Sequence, residues 1–573
     1  MPGFFGMIDD NNCRNPIYND IPGLTYTPVT YDEKAGLGYY IKRYVIPKFL
    51  NDKIFYEDAD LLICTDGILL NSPQLRRKYK VATNFELLKE IFVRNGITGI
   101  SEIKGNFSGV IFNKNTKTWH IFTDHVSSKP VFYFFDENKK SLLFGSELKV
   151  IIAGLRKLGH TPRLSETGAY CLLTFGFMIG DNTLEQKIKK IPPGSILTCY
   201  DGKITIDQYY KFSSTPEIPD SEDEIIKKID ELYQEAIRLE YDKDLEYNYS
   251  HIATLSGGLD SRMNVMNAKR VGYTDILCLC FSQGGYLDEV IAKKIASDNY
   301  FDFIFRALDS GNYLKNIDEM VLVNDGLTLY SGAVSILSSL KLLNWTKYGL
   351  LHTGQLYFGS ADDSDRSLPM DNDSVRTTAY SVKLLDDHLI QRLNILQKYD
   401  NFELFGLYEP GFNGQFNGYR VIEQYSEFSS PLHDRDFLEY AFRIPASIKN
   451  NYLYEKWLLS KVPEAAEYVW EKTGVKPGAG FWRKLPYSIF RFLRAKYLGR
   501  SNINSMNPFE YWYKTTPGLK EFFETYFVTN ISLLNQHPDL KSDAERLFKE
   551  GTCQEKTQVL TLLAAMKLHQ FCD

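Results

Sequence analysis

Short apolar runs separated by turn residues dominate the chain up to Tyr209. Phe4–Ile8, Leu61–Cys64, Gly109–Phe112, Trp119–Phe122 and Val131–Phe135 each read as a strand. Among them, Asn84–Arg94 sets Phe85, Leu87, Leu88, Ile91 and Phe92 at helical spacing, which predicts a helix. The texture then changes. Ser213–Asp223 is polar and holds Pro216 and Pro219, so it reads as a linker. An amphipathic helix is expected over Ile225–Arg238. Ile252–Leu255, Ser261–Lys269 and Ile276–Phe281 then alternate strand, helix and strand, the pattern of a parallel α/β sheet. Beyond about residue 380 the spacing is mostly helical. Gln355–Asn372 is polar, carries Asp362, Asp363, Asp365 and Asp371, and reads as a mobile loop. The expected division is residues 1–212, a linker over 213–224, and residues 225–573.

A chain of 573 residues has room for more than one domain. With 44% hydrophobic and 24% charged residues it is ordinary globular material, which excludes a largely disordered chain. The net charge of −6 argues against a dedicated binder of nucleic acid or anionic membrane. No apolar run approaches the roughly 18–20 residues of a membrane helix. The start, MPGFFGMIDD, has no basic-then-apolar signal, so a cytoplasmic location is expected. Cys13, Cys64, Cys171, Cys199, Cys278, Cys280, Cys553 and Cys572 are scattered without a CxxC pair, as reduced thiols would be.

The strongest motif is Leu255-Ser256-Gly257-Gly258-Leu259-Asp260-Ser261, set between a strand and a helix. Two glycines let the backbone turn and approach a phosphate closely. The helix that follows offers free N–H groups and a positive dipole end. Ser256 and Ser261 add hydroxyls, and Asp260 is placed to hold Mg²⁺ on the phosphates. No lysine of the G-x-x-x-x-G-K-[ST] kind is present, so this is not a loop that grips a transferred γ-phosphate.

An SGGxDS turn resembles the pyrophosphate loop of the ATP pyrophosphatases, and its surroundings resemble the asparagine synthetase family. The residues that carry the resemblance run in order along the chain. They include Gly105–Gly109, Asp124 through Lys129-Pro130 to Tyr133, Phe144–Lys149 and Ile191–Gly194 in the first part. Cys280-Phe281-Ser282, Asp288-Glu289, His352-Thr353-Gly354, Ser426–Asp434 and Glu471–Val475 follow in the second. The resemblance implies an N-terminal Ntn-hydrolase-like αββα sandwich. A PP-loop α/β synthetase domain, of the adenine-nucleotide α-hydrolase kind with a helical C-terminal part, would follow it.

By the same resemblance Leu255–Ser261, Phe281, Ser282 and Gly354 would bind ATP, with Asp260 as the Mg²⁺ ligand. Lys472 would stabilise developing charge, Glu427 would hold or deprotonate an amine, and Gln355 would stand at the catalytic rim. Two departures bear on function. A glutaminase of this kind needs a cysteine directly after the initiator Met, whereas Pro2 stands here, and Cys13 lies beyond the first strand. The N-G-E segment that holds glutamine is replaced by Asp66-Gly67-Ile68. The second departure follows Gly354, where Gln355-Leu356-Tyr357-Phe358 puts an aromatic ring at the position of a second Mg²⁺ ligand; either Asp362 or Asp363 supplies it, or Asp260 and the phosphates hold the metal alone, or the site is weakened. The basic aromatic run Trp482–Arg500 suits an acidic or peptide substrate, a partner, or a solvated helix face.

The expected function is an ATP-dependent ligase that adenylates a small-molecule or peptide carboxylate for attack by an amine or ammonia not drawn from its own glutamine. β-Lactam synthetases and lasso-peptide cyclases share that logic. A glutamine-hydrolysing asparagine synthetase and a non-catalytic nucleotide-binding scaffold are the alternatives. A homodimer is admitted as the assembly; nucleic acid and a membrane span are not expected.

Overall fold

In the computed structural model, the described residues are 2–9, 30–36, 38–355, 370–449, 452–480, 486, 489 and 504–571. The expected strands form and extend beyond the apolar runs that announced them. One six-stranded sheet runs in the order Lys189–Lys190, Phe132–Asp136, Ser141–Gly145, Gly3–Ile8, Tyr39–Val45, Thr30–Gly36. A second runs Lys203–Gln208, Ser195–Tyr200, Thr118–Thr123, Gly105–Asn113, Leu61–Leu69, Phe55–Glu57. The neighbours pair antiparallel.

The alternation of side chains along each strand explains how the sheets stack. Phe4, Ile41 and Phe144 of the first sheet meet Leu62, Cys64, Val110 and Ile121 of the second in one buried cluster. Their neighbours point the other way. Leu61, Ile63, Ile111 and Phe122 pack with Leu87, Leu88 and Ile91 of helix Asn84–Asn95. Phe5, Met7 and Leu143 join Val150 and Ile151 of helix Leu148–Lys157. Strands buried on both faces therefore read as nearly continuous apolar runs. The result is a helix–sheet–sheet–helix sandwich.

The expected linker is shorter than its composition suggested. Ser221 caps helix Glu222–Glu246 reciprocally with Glu224, so the helix starts at Glu222 rather than Ile225. Its buried face carries Ile229, Tyr233, Ile237 and Tyr241, spaced four apart.

The parallel sheet follows, in the order Asp302–Ala307, Ile276–Ser282, Ser250–Thr254, Tyr348–His352, Phe428–Ser429. Strand order reverses between Ser250–Thr254 and Tyr348–His352. In α/β sheets that switch point opens the crevice where ligands bind, outside the carboxyl ends of the strands. Helices dominate from residue 380 on, ending in Pro538–Glu550 and Cys553–His569. Among the described residues no helix is long and apolar enough to cross a membrane.

A buried polar network fixes the end of the strand beside the switch point. Asp244, on helix Glu222–Glu246, accepts from His352 Nε2 at 2.8 Å, His251 Nδ1 at 2.9 Å and Leu350 N–H at 2.7 Å. Among the described residues these three side chains are the one group of His, Cys, Asp and Glu close enough to share a metal ion. Asp244 joins both histidines in one buried chain. Tyr241 stacks on the His352 ring at 3.8 Å, and Glu240 Oε2 lies 3.6 Å from Nδ1.

Burial alone would lower the His352 pKa, but Asp244 and Glu240 outweigh it and raise it to about 9. The stabilisation is fully present below the unfolded value near 6.5 and is lost as pH rises through about 9. The shift corresponds to an upper bound of about 3 kcal/mol. Thermal melts should show Tm falling between pH 6.5 and 9.5. His352→Gln should start lower and lose most of that slope. An unchanged slope in the variant would assign the alkaline loss to other groups.

Candidate functional site

The cleft forms where Ser250–Thr254 ends at the switch point. From there the chain turns through Leu255–Gly258 into helix Leu259–Arg270. The turn is held by its own hydroxyls. Ser256 N–H donates to Ser261 Oγ at 3.0 Å, Gly258 N–H to Ser256 Oγ at 3.2 Å, and the two hydroxyls are 3.0 Å apart. Gly257 N–H donates to Asp288 Oδ1 at 2.8 Å. Leu255 and Leu259 are buried beneath the turn and pin it to the core. Gly258 enters the helix in an extended conformation with no side-chain cap, so the first-turn N–H groups face the cleft. That is the arrangement of an anion-binding helix end.

Two distant segments close on this turn through glycine. A Cβ on Gly354 would lie 2.3 Å from the Asp260 carbonyl carbon and the Ser261 nitrogen, so no other residue fits against the loop there. A Cβ on Gly257 would lie 2.9 Å from Glu471 Cβ, and Glu471 N–H donates to Gly257 O at 3.2 Å. Lys472 therefore sits one residue from a direct backbone contact with the loop. It is exposed, with Nζ 5.9 Å from the Trp470 ring centroid. Trp470 N–H to Val475 O at 2.8 Å and Gly474 at φ 71° close the turn that presents it.

Carboxylates crowd the cleft. Burial pushes Asp288 up to about 6, with Gly257 N–H opposing and Glu471 adding to the rise. Tyr286 hydroxyl donates to Glu471 Oε1. Asp260 opens to solvent at the floor of walls dense enough to push it to about 6, against a bond from Tyr454. An exposed carboxylate, two hydroxyls and an uncapped helix end are hard oxygen and N–H groups. They fit a phosphate chain with a divalent cation.

The cleft thus assembles Leu255–Ser261, Gly354 and the Lys472 segment. Phe281 is half-buried at the end of the neighbouring strand. Ser282 is buried, its hydroxyl donating to Gln283 O at 3.0 Å. Gln355 is exposed on the same rim. Tyr357, Phe358, Asp362, Asp363 and Asp365 lie outside the described residues, as does nearly all of Trp482–Arg500. Arg262 was not anticipated. It is fully buried and donates to the carbonyls of Gly257 (3.0 Å), Ala465 (3.0 Å), Tyr468 (3.1 Å) and Val469 (2.7 Å). Its position directly after the serine of the motif is the only signal sequence offered.

Glu427 directly precedes the edge strand Phe428–Ser429. It is shut off from solvent, with Lys53 Nζ at 2.7 Å and Lys129 Nζ at 2.6 Å, both from the first domain. In the first domain itself, Gly67 has φ 103°, and its Cβ would meet Asn106 O at 2.0 Å. Ile68 is fully buried against Phe49 and Leu350. The described cysteines are all buried. Burial pushes the thiols of Cys64 and Cys171 up to about 12 and Cys199 to about 11.

Residues 51–210 match the glutamine amidotransferase domain. The chain is 23% identical over 300 residues to asparagine synthetase (glutamine-hydrolyzing) 1 of Bacillus subtilis, covering 51% of this chain and 46% of that protein. It is 27% identical over 267 residues to putative asparagine synthetase (glutamine-hydrolyzing) 2 of Methanocaldococcus jannaschii, covering 44% and 49%. The alignments thus span about half the length of each relative. Among solved structures, glutamine phosphoribosylpyrophosphate amidotransferase from B. subtilis aligns over 53% of this chain and 59% of its own, at 12% identity and a TM-score of 0.23. The amidotransferase-domain match and the low-identity relatives together support the asparagine synthetase family as the group to which this chain is related.

Proposed function

We propose that the chain is an ATP-dependent amide-forming ligase that adenylates a substrate carboxylate, releasing pyrophosphate, for attack by an amine or ammonia supplied from outside. One observation carries this reading: the Glu471-Lys472 segment is hydrogen-bonded to the uncapped Ser256–Ser261 turn, with Gly354 closed against its other side. That contact supports reading Lys472 and the helix end as parts of one site at the switch point of the sheet.

In this reading Ser256, Gly257, Gly258 and Ser261 cradle the phosphates, and Phe281 and Ser282 line the adenine end. Asp260 is the residue to hold Mg²⁺, which supplies charge neutralisation for the departing pyrophosphate when bound. Lys472 stabilises charge developing on the reacting oxygens, and Gln355 orients the carboxylate at the rim. Outside supply of the nitrogen is favoured by the first domain. Ile68 gives its site an apolar side chain, and the raised thiols of Cys64, Cys171 and Cys199 hold little thiolate near neutral pH.

Three measurements test this. The protein should release no glutamate from glutamine, and Cys13→Ala should leave synthetase activity unchanged. A glutaminase rate that vanishes in Cys13→Ala would return the glutamine-hydrolysing alternative. Asp260→Ala should abolish ATP-dependent pyrophosphate release. Gly257→Val should do so as well, by driving a side chain into Glu471; near-normal rates in both variants would remove the loop from the chemistry. Lys472→Met should slow amide formation by roughly 10²-fold, or about 3 kcal/mol of barrier, while calorimetric ATP affinity changes little. A parallel collapse of affinity would make Lys472 a ground-state phosphate ligand instead.

A further inference from the structure

The strand Phe428–Ser429 is two residues long and lies at the edge of the parallel sheet, held there by two residue pairs with Tyr348–His352. So short an edge strand fixes a segment weakly. The rest of the grip comes from the first domain. Lys53 and Lys129 take the two oxygens of Glu427 at 2.7 and 2.6 Å, and all three side chains have 2% exposure or less. Lys129 also reaches Glu423 at 2.9 Å and Asp66 at 3.8 Å. Asn106 Nδ2 donates to Phe428 O at 2.7 Å. Lys104 pairs with Asp434 at 3.0 Å and Asp436 at 2.7 Å. The 427–434 segment is therefore held at its first two residues and at its end by residues of the other domain.

We propose that Glu427 is a docking anchor between the domains: a positioning residue that fixes the 427–434 segment on Lys53 and Lys129 and does not meet the amine. Each carboxylate oxygen faces an ammonium group, and with 0% exposure no face is left for substrate. Burial alone would raise its pKa, but Lys129 and Lys53 outweigh burial and hold it below the usual carboxylate range. A carboxylate so stabilised is a poor proton acceptor. Burial pushes Glu423 the other way, with Glu427 adding to the rise against the opposing pull of Lys129.

The anchor reaches the nucleotide cleft through backbone. Leu351 N–H donates to Glu427 O at 2.9 Å and Thr353 N–H to Ser429 O at 2.8 Å. The next residue, Gly354, rests on the Asp260–Ser261 peptide. The first domain thus has a task that needs no glutamine chemistry, since it holds one wall of the cleft.

A double-mutant cycle tests this. Lys53→Met leaves Glu427 with Lys129 alone and Glu427→Gln leaves Lys53 without its carboxylate, whereas the double variant removes a pair and leaves Lys129 with Glu423. Each single variant should lower Tm, and the double should recover most of the loss. Amide exchange at Thr353 and Gly354 should rise about tenfold or more in the singles and fall back in the double. Lys53→Arg, which keeps the charge, should stay near the native protein. Should a single variant not fold, the double and Lys53→Arg decide, because the anchor requires both to fold. Pyrophosphate release, the arm that rests on the ligase reading, should drop in Glu427→Gln and return in the double to within about threefold of native. Purely additive losses of stability would overturn the docking role. So would a stable double variant as slow as Glu427→Gln, which would put the carboxylate in the chemistry. A native protein that releases no pyrophosphate with any carboxylate would sink the ligase reading alone, since the stability cycle still decides the anchor.

Discussion

Everything in the cleft depends on backbone reaching backbone at the Ser256–Ser261 turn. Gly354 has no side chain because the Asp260–Ser261 peptide occupies its space, and Gly257 has none because Glu471 occupies its own. Three stretches far apart in sequence can then meet at contact distance. Arg262 secures the meeting from below. Its buried guanidinium faces four carbonyls, one from the loop and three from residues just before the Lys472 turn. Burial lowers its pKa only to about 10, so it keeps its charge at neutral pH. A buried cation satisfied by carbonyls rather than by acids holds geometry without quenching the carboxylates above it. Moving the loop therefore means moving Lys472 as well.

Local chemistry made part of this legible. The Ser256–Ser261 turn announces itself through residue types that only a tight strand-to-helix turn requires, and strand and helix lie where the apolar pattern puts them. The sandwich strands were readable for the same reason, being apolar on both faces; their ends, which carry Asp66 and Asn106, were not. The start of helix Glu222–Glu246 was missed because its first turn is acidic and capped, which composition alone reads as linker. Glu427 could not be placed at all. Its partners Lys53 and Lys129 lie hundreds of residues away, and nothing local distinguishes a buried lysine from a solvated one. Arg262 is hidden likewise, since its partners are carbonyls and carbonyls leave no trace in sequence.

The domain interface is where that illegible part carries the most weight. Ionised groups taken out of water cost several kcal/mol each unless geometry and further contacts offset it. Here Lys53, Lys129, Asp66, Glu423 and Glu427 form one buried set. A second set joins Lys149 and the Ser146 carbonyl of the first domain to Asp325 and Arg420 of the second. Apolar contacts would tolerate sliding, but paired charges do not, because each shift strands a charge. Two such sets on one interface specify a single relative placement of the domains. The wall of the cleft built by residues 351–354 inherits that precision through three successive backbone hydrogen bonds and contacts.

The charge balance of the cleft adds a final constraint. Asp260, Asp288 and Glu471 surround the turn, while Arg262 is engaged by carbonyls and Lys472 directly follows the residue whose N–H bonds the loop. Burial is the main cause of the rise of Asp288 to about 6, and Glu471 adds to it. A bare triphosphate entering such a site meets repulsion that the helix dipole, worth about 0.5–2 kcal/mol, offsets only in part. Under the proposed function the nucleotide is therefore taken with its divalent cation or not taken, and the acids act as a filter for the complexed form. Under the same reading Lys472, next to the segment bonded to the loop, serves the acyl group rather than the phosphates. That reading divides the work of the site: acids and backbone amides serve the departing phosphates, and Lys472 serves the carbonyl.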